Sequence, residues 1–213
     1  MKYFCYMNGG RFIYYLLLFC FLVSCKKQLT DVTVSVGKIQ DNIDIECISF
    51  LSEDTVFLCG GLKNINGKIY MSVDRGKNWT QVFSCPDKLY DLAFNKNTGI
   101  AVGDSTRIQL SKDRGRTWEV QALGSYKMRE WQNDQSSIQK IHFWDNNGII
   151  SISNQNREHG NLYTSWDGGN NWFDLQQPNG LRDWWVFHND SIYAVGYGIL
   201  VKIEYEHQTG WLG

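Results

Sequence analysis

The sequence predicts an all-β fold: a β-propeller of four-stranded antiparallel sheets, with about four blade units in this chain. Three observations predict it. An eight-residue pattern, S-x-D-x-G-x-x-W, occurs as SVDRGKNW (Ser72–Trp79), SKDRGRTW (Ser111–Trp118) and SWDGGNNW (Ser165–Trp172). Each occurrence follows the same succession of short apolar runs, giving a unit of roughly 40–50 residues, the period of a propeller blade. The composition also leans toward strands, with 15% aromatic residues and only 2 Pro among 213 residues.

The N-terminus stands outside that pattern. Lys2 and Arg11 precede an uncharged run, Phe12–Val23. Twelve residues fall short of the ~20 needed to cross a bilayer as a helix. They match the apolar region of a signal peptide. The run ends in Leu22-Val23-Ser24-Cys25, which resembles the lipobox of bacterial lipoproteins. That resemblance implies a signal peptide over residues 1–24 and acylation of Cys25. Several acyl chains would hold the protein at a membrane surface. Residues 26–36 then form a tether and an N-terminal strand, DVTVSV (Asp31–Val36), and residues 37–213 hold the repeats. Lys26-Lys27 after Cys25 favours an outer-membrane location in a bacterial cell envelope.

Within a unit the runs read strand A, turn, strand B, loop, strand C, hairpin, strand D. The A strands are IECISF (Ile45–Phe50), LYDLAF (Leu89–Phe94), IQKIHF (Ile138–Phe143) and DWWVF (Asp183–Phe187). The B strands are TVFLCGG, GIAVGD, GIISIS and SIYAVG; the C strands are GKIYMS, TRIQLS, NLYTS and GILVKIEY. TQVFS and EVQAL supply strands D of the first two units. The fourth unit ends before a strand D, and DVTVSV is a candidate to replace it, removing two sheet edges. A closed ring, an open arc and a truncated ring remain alternatives.

The pattern has a structural explanation at each position. Asp74, Asp113 and Asp167 can accept backbone N–H bonds within a turn. Gly76, Gly115 and Gly169 supply positive φ in a tight hairpin. Ser72, Ser111 and Ser165 can close the turn, and Trp79, Trp118 and Trp172 can cover it. The pattern resembles the Asp-box, or BNR, repeat of sialidases, sortilin-type receptors and photosystem II assembly factors. AVGDSTRIQLSKDRGRTW (Ala101–Trp118) is similar to the photosystem II assembly-factor branch. The resemblance implies a β-propeller whose boxes are architecture, lying away from the functional face.

Function is then expected on the opposite face, which carries the B–C and D–A loops. Four segments fall there: GLKNINGK (Gly61–Lys68), LGSYKMREWQNDQSS (Leu123–Ser137), NQNREHG (Asn154–Gly160) and QQPNGLRDW (Gln176–Trp184). Loops on a rigid scaffold are where binding groups collect. The candidates are Tyr126, Arg129, Trp131, Arg157, His159, Arg182 and Trp184, rich in the residue types of interaction hot spots. The reading is a membrane-anchored, non-enzymatic module that engages an envelope protein or a glycan. The alternative is a sialidase-like glycosidase, which needs an arginine cluster for a substrate carboxylate. Arg129, Arg157 and Arg182 alone fall on the expected face, and the Arg-Ile-Pro motif is absent.

Balanced charge, 21 basic against 22 acidic residues, gives no footprint for nucleic acid. His142, His159, His188 and His207 lack metal-ligand spacing. No G-x-S-x-G elbow or phosphate loop is present, so no catalytic residue, metal or cofactor is expected. Cys47, Cys59 and Cys85 remain after Cys5, Cys20 and Cys25 are set aside. A Cys47–Cys59 bridge between neighbouring strands and buried reduced thiols are both open readings.

Overall fold

A computed structural model describes residues 39, 41–122, 136–144, 147–154, 160–175, 181–187, 191–196 and 198–204. All belong to one compact unit, Gly37–Gly213. The signal, lipidation and DVTVSV assignments lie outside the described residues.

The chain forms four antiparallel sheets in sequence order, and no helix occurs among the described residues. Sheet one holds β1 (Asp44–Phe50), β2 (Val56–Leu62), β3 (Asn66–Ser72) and β4 (Thr80–Cys85). Sheet two holds β5 (Leu89–Asn95), β6 (Thr98–Gly103), β7 (Ser105–Ser111) and β8 (Glu119–Ala122). Sheet three holds β9 (Ser136–Trp144), β10 (Asn147–Asn154), β11 (Gly160–Ser165) and β12 (Phe173–Asp174). Sheet four has three described strands, β13 (Leu181–Phe187), β14 (Ser191–Gly196) and β15 (Ile199–Glu204). The architecture is a partial β-propeller.

Packing between successive sheets explains the sequence pattern. Sheets stacked on both sides bury both faces of their central strands, so these read as near-continuous apolar runs. In β6 every residue from Gly99 to Gly103 is buried. The core has three clusters, one at each junction. Phe57, Ile69, Leu89 and Leu92 fill the first, Ile100, Ile108, Ile138 and Ile150 the second, and Ile149, Leu162, Trp184 and Ile192 the third. Each fully buried side chain of this size contributes about 1.5–3 kcal/mol. β5 lies on β1 and β2, β9 on β5, β6 and β7, and β13 on β11, so each sheet packs on the one before it.

Three boundaries differ from the sequence expectation. β2 and β3 run to Leu62 and from Asn66, so most of the expected Gly61–Lys68 loop is strand. The remaining turn is closed by an Ile65 N–H to Leu62 O bond of 3.0 Å, with Asn64 at φ 60°. In the third unit, Ser136 and Ser137 start β9, while Asn154 and Gly160 are strand ends. β13 starts at Leu181, not Asp183, so Leu181–Trp184 is not loop. The physical reason is the same in each case: flanking backbone amides complete ladder bonds as far as the partner strand extends.

Cys47 and Cys59 face each other across β1 and β2, and the structure holds both as reduced thiols, as it does Cys85. Hydrogen bonding with Cys47, reinforced by burial, pushes the Cys59 thiol well above its ordinary range. Such a thiol is a poor nucleophile.

Candidate functional site

The two ends of the sheets differ in chemistry. At one end sit the A–B turns and the S-x-D-x-G-x-x-W hairpins. The Arg75 amide donates to Asp54 O at 3.0 Å and the Arg114 amide to Asn97 O at 2.9 Å, tying each hairpin to its own A–B turn. Within the second hairpin, Ser111 Oγ donates to Asp113 Oδ1 at 2.9 Å and accepts from the Gly115 amide at 2.8 Å. Asp113 also takes the amides of Arg116 and Thr117 and the Thr117 hydroxyl. The first and third hairpins repeat the Ser–Asp–Gly bonds through Ser72, Asp74 and Gly76 and through Ser165, Asp167 and Gly169. The turn needs two successive left-handed residues: Arg75–Gly76, Arg114–Gly115 and Gly168–Gly169 all have positive φ. The sequence reading identified only the second of each pair.

These bonds stabilise the charged form of the aspartates. The Asn78 amide, then its side chain, hold Asp74 down to about 2. The Thr117 hydroxyl and amide do the same for Asp113, also to about 2. Burial raises Asp167, but its Asn171 bonds more than offset this and the net shift is downward. Donors already engage these carboxylates, so their role is to hold the turn. The Trp118 and Trp172 indoles donate to Gly115 O and Gly169 O at 2.9 and 3.0 Å. The glycines stand against the preceding sheet: a Cβ on Gly115 would lie 2.5 Å from Phe57, and one on Gly169 2.5 Å from Ile100. On Gly76 it would meet only Trp79. The three tryptophans are therefore not equivalent, because sheet one has no preceding sheet among the described residues.

The opposite end carries a different set of groups. Each first strand contains a β-bulge there, between Ile45 and Cys47, Leu89 and Asp91, Ile138 and Lys140, and Leu181 and Asp183. A bulge inserts one unpaired residue and re-aims side chains. The bulged residues are Glu46, Tyr90, Gln139 and Arg182. Around them, Lys88 Nζ pairs with Glu46 at 2.5 Å and Asp44 at 3.4 Å. Lys140 Nζ reaches Asp183 Oδ1 at 2.9 Å. Arg107 pairs with Asp87 at 2.9 Å, and the Tyr90 hydroxyl donates to Asp104. Asp104 Oδ2 is buried without a hydrogen-bond partner. The Lys88 side chain is mostly buried, and its bond to Glu46 chiefly raises its pKa. The loop end is thus a rim of paired charges with one buried acceptor, Asp104 Oδ2, left unpartnered.

The expected site residues fare unevenly. Tyr126, Arg129, Trp131, Arg157 and His159 lie outside the described residues. Arg182 occupies the bulge of β13. Trp184 needs correction as an exposed loop contact: it is a strand residue, 4% exposed, packed in the core of the third junction. Lys140 Nζ sits 4.9 Å from its ring centroid, and its indole Nε1 has no hydrogen-bond partner. Glu46, Lys88, Tyr90, Lys140 and Asp183 were missed. The signal for them was present: IECI, LYDL, IQKI and LRDW place apolar residues three apart. A regular strand would send such a pair to opposite faces, and one bulged residue returns both to the same face. Among the described residues, no group of three or more His, Cys, Asp or Glu is placed to hold a metal ion.

The chain has recognisable relatives. The profile of the sortilin/Vps10 family (sortilin, neurotensin receptor 3) matches residues 67–203. The chain is 27% identical over 139 residues to vacuolar protein sorting/targeting protein 10 of Neosartorya fischeri, covering 62% of this chain and 8% of that protein. Among solved structures it is similar to YCF48 bound to D1 peptide, with a TM-score of 0.55 and 19% identity over 76% of this chain and 51% of that one. It is equally similar in fold to the GH74 xyloglucanase from Xanthomonas campestris, with a TM-score of 0.55 and 18% identity over 70% of this chain and 26% of that one. At these identities the structural likenesses speak for the propeller fold alone. The matched span runs from the second residue of β3 to the penultimate residue of β15, taking in all three tryptophan hairpins, and the chain belongs to the sortilin/Vps10 family.

Proposed function

We propose that this chain is a non-enzymatic, membrane-tethered binding module whose loop end receives a segment of a partner protein. The observation that carries the proposal is the contrast between the two ends. Each hairpin aspartate is filled by backbone amides of its own turn, whereas the loop end carries side-chain ion pairs that a ligand can exchange, Lys88 with Glu46 and Asp44 and Lys140 with Asp183, beside the unpartnered Asp104 Oδ2. An extended peptide carries amide donors and carbonyl acceptors that such a rim can pair, and rim charges chiefly set on-rate and specificity. Family membership and a propeller neighbour with a bound peptide support this reading over a glycan ligand. Acylation of Cys25 supplies the tether and places the module in the cell envelope.

A photo-crosslinking residue tests the reading directly. Placed at Tyr126 or Trp131 in the full chain, it is expected to capture a protein partner in the envelope. Placed at Lys112, on the hairpin end, it is not. Equal capture from both ends, or capture only from Lys112, refutes the assignment of the working face. Turnover of a fluorogenic sialoside by the same preparation would restore the glycosidase alternative.

A further inference from the structure

The three junctions between sheets repeat one set of positions, and the two ends of the arc carry the unused halves of that set. The side facing the preceding sheet is built on the bulge pair: Leu89 and Leu92 in sheet two, Ile138 and Ile141 in sheet three, Leu181 and Trp184 in sheet four, all buried. Ile45 and Ile48 hold these positions in sheet one, followed by Phe50, and the three are 50–65% exposed. The side facing the next sheet is built on the second strand: Phe57 and Cys59 in sheet one, Ile100 and Val102 in sheet two, all buried. By register, Tyr193 and Val195 are their equivalents in sheet four, flanked by Trp185 and Leu200, and these four are 38–71% exposed. Contiguous exposed apolar faces of this kind mark association surfaces.

A polar contact accompanies each junction. The residue after the bulge reaches the backbone of one fixed position in the next sheet. Cys47 Sγ donates to Leu92 O at 3.7 Å, Asp91 Oδ2 accepts from the Ile141 amide at 2.9 Å, and Lys140 Nζ donates to Trp184 O at 3.0 Å. Asp183 is the next member of this series, and it is an acceptor like Asp91. The next backbone position in the series is the Ile48 amide of sheet one. The hairpins agree: Gly115 and Gly169 stand against Phe57 and Ile100, while Gly76 has no such neighbour. Tyr193 is the side chain whose position matches Phe57 and Ile100.

We propose that a second copy of this chain covers both ends: sheet four of each copy docks on sheet one of the other, closing two four-sheet arcs into one ring. The occupant follows from continuity with a junction the chain already makes three times. In the paired ring, Asp183 accepts the Ile48 amide across each new junction, and Tyr193 packs on Gly76. The arrangement has a two-fold axis and uses both exposed apolar flanks of the described sheets, so it closes at two copies. It concerns the flanks of the arc and is independent of which ligand the loop end receives.

Sedimentation velocity of the full chain in a mild detergent tests it. Wild type is expected to carry two polypeptides per particle at micromolar concentration. Ile48→Glu and Trp185→Glu change side chains exposed in a single copy, so each variant keeps its fold. Each places an unpaired charge in both junctions and is expected to raise the concentration for pairing by about a hundredfold or more. Mixed together, the two variants are expected to pair more tightly than either alone and less tightly than wild type, because one junction is intact and the other carries both charges. A monomeric wild type overturns the proposal, whether the arc stays open or closes on itself. So does a Trp185→Glu variant that pairs as tightly as wild type. Pairing by Ile48→Glu alone overturns it as well, since it would mean that sheet four docks on sheet four.

Discussion

A single hairpin residue shows how fixed the tryptophan turns are. Asp113 satisfies a serine hydroxyl, two amides and a threonine hydroxyl with one carboxylate. Its pKa, like that of Asp74, is depressed to about 2. An unfolded aspartate titrates near ~3.9. A group depressed in the folded state stabilises the protein above the unfolded pKa, and that contribution disappears as pH falls through the folded one. Thermal melts of wild type are therefore expected to lose stability between about pH 4 and pH 2. Asp113→Asn should melt lower than wild type at pH 7, and the gap should close by about pH 2. A gap that stays constant across this range would separate the turn from the acid response.

Among the elements, the bulged first strand is the most informative. Asp91 accepts the Leu92 amide at 2.9 Å within its own sheet and the Ile141 amide at 2.9 Å from the next. Asp91→Ala leaves two partly buried amides unpaired, and the expected loss is about 1–3 kcal/mol in urea titration. Glu119→Ala, which removes the exposed pair with Lys112 at 3.6 Å, is expected to change stability by less than about 1 kcal/mol. Equal effects would mean that Asp91 does not couple the sheets. Strand identity was legible without coordinates: SIYAVG is strand over the same six residues as read. The start of β13 was set two residues late, at Asp183, and Trp184 was placed in a loop segment, although the three-residue spacing of Leu181 and Trp184 already encoded a bulge and a shared buried face.

Across the whole molecule, each junction is a separate cluster of side chains. Phe57 belongs to the first junction and Ile192 to the third. Truncating either to Ala is expected to cost about 2–5 kcal/mol. Residues in separate clusters with no shared partner should add within about 0.5 kcal/mol in the double variant. A coupling above that value would show that strain passes through sheet two and sheet three. The repeat pattern determined the sheet class, the succession of strands and the use of Asp and Gly in each hairpin, because these follow from contacts within a few residues of each other. Which face each sheet buries, which charges meet at the loop end, and that sheets one and four keep an apolar side exposed were decided only in the assembled arc. Those outcomes depend on a neighbouring sheet being present or absent, and no property of a strand's own residues reports that.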